Sequence, residues 1–217
     1  MLRRDFSYAL AATSAAALCM LPTAQAQTPR PFQDGVDYLT LDKRAPADAG
    51  AGKIEVVEFF WYSCPHCNAF EPKLEAWVKN LPKDVVVRRV PVGFREEFIP
   101  QQRLFYTLEA MGKLPELHAK VFYAIHVEKQ VLNTQASIGA WIEKQGVDKT
   151  KFDALYNSFS VSTKTRKATQ LQDEFKVDGV PALGIAGRFY TSGSVAQTME
   201  RALTVTDFLL EQVRKGR

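Results

Sequence analysis

Cysteine and histidine are scarce in this chain of 217 residues, with three of each. So few cysteines exclude the dense disulfide framework that holds small secreted folds together, and so few histidines leave little material for an imidazole-based metal site. One-signed charge is missing too. Lysine and arginine number 28 against 24 aspartates and glutamates, a net charge of +4. This excess is spread thinly, without a basic or acidic block, so nothing marks a nucleic-acid binder. Internal repeats and low-complexity tracts do not stand out either. The balance of 46% apolar to 24% charged residues belongs to a chain that folds, and 217 residues are enough to bury a substantial core.

The long apolar run stands at the N-terminus. Arg3 and Arg4 precede an uncharged stretch rich in alanine and leucine over residues 6–21, followed by Pro22 and then Ala24-Gln25-Ala26. A basic start, a short apolar centre and small residues two positions apart form the pattern of a secretory signal peptide, and the run is too short to span a hydrocarbon core of ~30 Å permanently. Cleavage is expected after Ala26. A retained anchor is disfavoured because no further apolar residues follow the Ala-x-Ala site. Cys19 does not read as a lipidated cysteine, since Leu18 occupies the place of the small residue needed there. Removal of residues 1–26 leaves two cysteines, Cys64 and Cys67, both in one Cys-Pro-His-Cys stretch.

Residues 27–34, with Pro29 and Pro31, read as an extended lead-in, residues 38–41 as a short strand and the small, Gly-rich residues 45–53 as a loop. In Ile54-Glu55-Val56-Val57-Glu58-Phe59-Phe60-Trp61 the apolar residues fall on both parities, which predicts a central strand buried on both faces. Phe70, Leu74, Trp77 and Val78 recur at helical spacing after the cysteines, so a helix is expected to run on from them until Pro82, kinked near its second turn by Pro72. A second strand covers residues 85–92. Strand, helix, strand in this order builds a parallel unit, with the cysteines at the carboxyl end of a strand, where open α/β sheets place their sites.

From about Arg95 to Val177 strand signals give way to helical periodicity. It runs through Leu104, Phe105, Leu108 and Met111, then Leu117, Val121 and Phe122, then Ile138, Trp141 and Ile142, with turn signals at Gly112, Asn133 and Gly146. Residues 180–190 read as a hairpin turning at Ala186-Gly187, and residues 195–214 as a closing amphipathic helix. The expected division is a signal peptide (1–26), an α/β domain in two parts (27–94 and 178–217) and an all-helical insert between them (95–177).

A disulfide between Cys64 and Cys67 would close a loop of two intervening residues and add little stability, so the pair reads as redox-active. Cys64 starts a helix, with Pro65 suited to the first helical position, so the helix N-terminus and its free N–H groups face the Cys64 sulfur and favour its thiolate. His66 adds a donor or a positive charge nearby. Cys67, one turn further in, reads as the shielded partner. Cys-x-x-Cys is also zinc-ligand spacing, but a zinc site needs four ligands, and beyond His66 the chain offers only His118 and His126, which read as ordinary surface or core residues. No metal is expected.

Glu58 stands in the middle of an apolar strand, where an ionised carboxyl is costly to bury, so its pKa is expected to be raised; a solvated strand end or a structural ion pair is the plainer alternative. Pro181 after Val180 starts a strand at a position where the missing N–H does no harm. Phe60, Trp61, Tyr62, Phe70 and Trp77 read as core, with Tyr62 left open as part of an apolar surface for unfolded clients.

Glu58-Phe59-Phe60 ahead of Cys64-Pro65-His66-Cys67, with Gly179-Val180-Pro181-Ala182 far downstream, an export signal and a helical insert, resembles the DsbA family of periplasmic oxidants over nearly the whole mature chain. The resemblance implies an α/β thioredoxin fold with an inserted all-helical domain, and an enzyme that donates its disulfide to reduced or unfolded exported proteins. It implies a buried acid at Glu58 that manages the proton of the inner cysteine, a basic partner at Arg89, and a cis Pro181 facing the disulfide, with the Val180 backbone pairing with a substrate strand. It further implies re-oxidation by a DsbB-type quinone-linked membrane oxidase, a monomer and no cofactor. Competing readings are a disulfide isomerase or reductant, and a binding module or holdase whose disulfide is incidental.

Overall fold

The computed structural model describes residues 30–216; the signal-peptide pattern and Cys19 lie outside the described residues. Among the described residues five strands form one mixed sheet: β1 (Leu39–Thr40), β2 (Ile54–Phe60), β3 (Val85–Pro91), β4 (Ala182–Ile185) and β5 (Phe189–Ser192), in the order β1-β5-β4-β2-β3. β2 pairs in parallel with β3 and antiparallel with β4. Every residue of β2 after Ile54 is buried, as apolar residues on both parities require.

The β4–β5 hairpin turns at Ala186 and Gly187, with φ of 54° and 62°. Two successive left-handed residues match the twist of the paired strands. Glycine is needed at 187 for a second reason: a Cβ there would lie 2.3 Å from the Ala45 carbonyl oxygen.

Among the described residues the helices are α1 (Pro65–Val78), α2 (Ile99–Ala110), α3 (Leu114–His126), α4 (Gln135–Lys144), α5 (Lys149–Tyr156), α6 (Phe159–Glu174) and α7 (Met199–Arg214), with a 3-10 turn at Glu96–Phe98. Helices α2 to α6 all fall between β3 and β4. Prolines stand in the first turns of α1, α2 and α3, where the N–H that proline lacks would have no intrahelical partner. α1 continues through Pro72 to Val78.

Apolar periodicity did not announce α5 and α6. In α6 the buried stripe is Val161, Thr165, Ala168, Leu171 and Gln172, so two of its inward positions are polar. Gln172 earns no apolar burial; its Oε1 accepts the Gly93 N–H at 2.8 Å and ties α6 to the end of β3. The closing helix begins at Met199, later than the apolar pattern predicts, because Thr198 caps it by accepting the Arg201 N–H at 3.1 Å.

Two apolar clusters flank the sheet. One joins Val57, Phe59 and Phe60 of β2 to Phe105, Phe122 and Phe175 from the helical stretch, and the other joins Val56 to Phe70 and Leu74 of α1 and to Val205 and Leu209 of α7. Each such large side chain contributes about 1.5–3 kcal/mol when fully buried. Phe175 lies so close to β4 that a Cβ on Gly184 would meet its ring at 2.3 Å. Among the described residues no helix is long and apolar enough to cross a membrane.

Candidate active site

β2 ends at Phe60, and a turn closed by the Cys64 N–H to the Trp61 carbonyl at 3.0 Å leads into α1. Cys64 is the N-cap of that helix, with φ −81° and ψ 117°, and its Sγ accepts the Cys67 N–H at 3.4 Å. Pro65 and His66 are exposed on the first turn, while both cysteines are buried thiols. The Cys64 thiol is drawn from its ordinary 9.0 down to about 6, chiefly by a hydrogen bond from the Cys67 side chain. Burial opposes this, and the backbone N–H groups of Cys67 and His66 and the charge of His66 add to it. The Cys67 thiol is pushed far above its ordinary value, first by burial and then by Cys64, with Glu58 adding to the effect.

Glu58 is wholly buried in mid-strand, directly opposite Arg89 in the parallel register of β2 and β3. Arg89 Nε lies 3.2 Å from Glu58 Oε2, near enough for charge attraction but not aligned as a donor, so neither Glu58 oxygen has a hydrogen-bond partner among the described residues. The guanidinium instead donates from Nη2 to Glu71 Oε1 at 2.8 Å and to Glu75. Burial and the neighbouring Glu71 charge outweigh Arg89 and raise Glu58 to about 8. For Glu71, burial disfavours the anion, but His118 and Arg89 prevail and hold its carboxyl below the ordinary value. Three acids thus share one guanidinium, and the buried one without a donor keeps its proton.

Val180 closes the site from the opposite side. The Cys64 thiol donates to the Val180 carbonyl at 3.4 Å, and the Val180–Pro181 bond is cis, as the resemblance implies. A cavity of about 410 Å³ adjoins them, lined by His66, Gly179, Val180, Pro181, Gly193 and Met199 among others. His66, Val180 and Pro181 therefore share one opening, with Cys64 against the Val180 carbonyl and Cys67 buried one turn further in, and Glu58 lies behind Cys67, close enough for its ionisation to act on that thiol. Among the described residues no group of three or more His, Cys, Asp or Glu is arranged to hold a metal ion.

Tyr62, left open by the sequence between core and client surface, is core. It is wholly buried, with its ring 5.1 Å from those of both Phe60 and Phe122, and lines no client surface. His118 and His126 are also more than background. His118 Nδ1 pairs with the Tyr62 hydroxyl at 2.8 Å, with Nε2 3.5 Å from Glu71 Oε1, and His126 Nε2 donates to the Tyr62 carbonyl at 2.8 Å. Glu71, Gln101, His118 and His126 were missed as site residues. Glu71 carried a readable signal, an acid one helical turn beyond Cys67 on the same face; Gln101 carried none.

Comparison with known proteins adds to this geometry. The DSBA-like thioredoxin domain family matches residues 55–204. The thiol:disulfide interchange protein DsbA of Bordetella parapertussis is 43% identical over 212 residues, covering 97% of this chain and 98% of that protein. The protein of the same name from Pseudomonas aeruginosa is 38% identical over 183 residues, covering 84% and 86%. Among solved structures, Pseudomonas aeruginosa DsbA matches with a TM-score of 0.81 at 38% identity, covering 85% of this chain and 96% of that one. The oxidoreductase DsbA from Xylella fastidiosa matches with a TM-score of 0.78 at 29% identity, covering 85% and 98%.

Proposed function

The chain belongs to the DSBA-like thioredoxin domain family, and from that premise we propose that it donates a Cys64–Cys67 disulfide to reduced proteins exported to the periplasm. A client thiolate attacks Cys64 Sγ of the oxidised enzyme, a client–Cys64 disulfide forms, and Cys67 departs and takes up a proton. A second client thiolate then attacks the client sulfur of that mixed disulfide, and Cys64 leaves as a thiolate. The client loses two electrons and the enzyme gains them as its dithiol.

The observation that carries this reading is the contrast in the dithiol. A Cys64 thiol drawn down to about 6 is largely ionised at neutral pH and is a good leaving group, which stabilises the reduced enzyme and drives the transfer forward. Glu58, raised to about 8, holds a proton at neutral pH beneath Cys67 and can supply it as that sulfur leaves. Arg89 limits how far Glu58 rises. Pro65 opens the helix whose N–H groups face Cys64, and His66 adds charge beside it. The backbone of Val180, next to Cys64 and before Pro181, suits an extended client segment paired backbone to backbone.

The dithiol is its own redox group and needs no cofactor. Residues 1–26 carry the export pattern that supports periplasmic location. Re-oxidation falls to a DsbB-type quinone-linked membrane oxidase, and the enzyme works as a monomer built from residues 27–94 and 178–217 around the insert 95–177.

The test is the redox equilibrium of mature residues 27–217 against a glutathione series. A midpoint near ~−120 mV, the known value for DsbA itself, supports the donor role, and one near ~−270 mV, that of thioredoxin, overturns it in favour of a reductant.

A further inference from the structure

The turn that presents Cys64 is gripped by side chains of α2 and α3. Gln101 of α2, which is 2% exposed, accepts the Ser63 N–H on Oε1 at 3.2 Å and donates from Nε2 to Ser63 Oγ at 2.7 Å and to the Leu132 carbonyl at 2.9 Å. A carbonyl can only accept, so the contact with Leu132 fixes which end of the Gln101 amide is nitrogen, and both ends are then satisfied. By the same logic His126 carries its proton on Nε2 to bond the Tyr62 carbonyl. One peptide carbonyl, one peptide N–H and one hydroxyl of Tyr62 and Ser63 are thus bound to the helical stretch immediately before the nucleophile.

We propose that Gln101 and His126 are positioning residues for Cys64, and that through them the helical stretch sets how strongly the Cys64 sulfur is stabilised. The inference rests on Cys64 being the reactive thiol of the proposed function. The sulfur is stabilised chiefly by the Cys67 side chain and further by N–H groups of the first helical turn, the latter at the long end of hydrogen-bonding range, 3.4 Å for the Cys67 N–H. Its orientation is inherited from the turn closed by the Cys64 N–H on the Trp61 carbonyl. A turn free to rotate about Ser63 would carry the sulfur away from those donors, and hydrogen bonds to charged groups weaken steeply with misalignment.

Gln102 supplies the control. It is equally buried, but its Nε2 bonds the Pro91 carbonyl at 2.9 Å and Thr169 Oγ1 at 3.4 Å, away from the turn. The experiment is a pH titration of thiolate absorbance in reduced wild type, Gln101→Ala, His126→Ala and Gln102→Ala, with thermal melts of all four. Gln101→Ala is expected to raise the Cys64 midpoint by about half to one pH unit, with His126→Ala moving it the same way by less, while Gln102→Ala lowers the melting temperature and leaves the midpoint where it was. His126→Ala removes a half-buried side chain and carries the test alone if Gln101→Ala does not fold. The inference is overturned if the turn variants leave the midpoint unmoved, or if Gln102→Ala moves it equally. A wild-type thiol titrating at the ordinary 9.0 would instead sink the donor reading, so the two failures are distinguishable.

Discussion

Cys64 and Cys67 are separated by one turn of the same helix, yet the protein treats their sulfurs in opposite ways. Cys64 caps the helix and receives N–H groups from the turn above it. Cys67 is itself inside that turn, its N–H already spent on Cys64, with the apolar core around it and Glu58 behind it. Little of Cys64's surface is exposed, but the residue lies shallow, whereas Cys67 is deep. The lesson is that the drive of a dithiol comes from contrast: the same short helix makes one sulfur an easy leaving group and the other a poor anion.

The largest effects come from erasing either side of that contrast. Cys64→Ser should abolish disulfide transfer to a reduced client. Cys67→Ser should leave Cys64 reactive and, once Cys64 is joined to a client, remove the enzyme's own thiol that reverses the reaction, so covalent enzyme–client complexes accumulate on non-reducing gels. Retained transfer in Cys64→Ser would break the comparison outright and favour a binding module whose disulfide is incidental.

A smaller effect probes the deep side alone. The folded pKa of Glu58, about 8, lies above its ordinary 4.5, so the folded state holds this proton more tightly than the unfolded state does. Its protonation therefore supports folding fully below pH 4.5, and that support is lost as pH rises, with the whole cost of the buried anion present above about 8. Glu58→Gln removes the titration. The reduced variant should match wild type near pH 4 and exceed it by about 2–4 kcal/mol near pH 9, as read from urea unfolding across that range. A difference that stays constant with pH would show that Glu58 is ionised throughout, with Arg89 winning over burial.

How much of this was legible follows from which forces leave a pattern. The central strand was readable because Val56, Val57, Phe59 and Phe60 fill both faces, and Glu58 stood out for the same reason, as a carboxyl in an apolar run. The helix cap at Cys64 was readable because Cys-Pro places the thiol and the first helical residue in fixed order. Polar groups that act inside the core left no such trace. Gln101, Gln172 and His118 do their work by satisfying backbone or side-chain partners distant in sequence, and a buried glutamine looks the same in a sequence as an exposed one. Tyr62 belongs here too: the sequence leaves it open between core and surface, and the hydroxyl partner that satisfies it when buried lies 56 positions away.

That hydroxyl offers the finest test of the contrast. Nδ1 of His118 pairs with the Tyr62 hydroxyl at 2.8 Å, while its Nε2 lies 3.5 Å from Glu71 Oε1. Tyr62→Phe keeps the ring packing against Phe60 and Phe122 and removes only this bond, leaving the buried His118 Nδ1 unpaired. The full penalty for such a group is about 1–3 kcal/mol, but His118 also lines a cavity of about 550 Å³ with Glu71 and Arg89, from which water can replace the hydroxyl. The expected loss is therefore about 1 kcal/mol in urea unfolding. Because His126 and Gln101 still hold the backbone of the turn, the Cys64 thiolate midpoint should not move. A midpoint that shifted with Tyr62→Phe would mean that the shallow sulfur depends on the deep acid network, and the two sides of the dithiol would have to be treated as one titrating system.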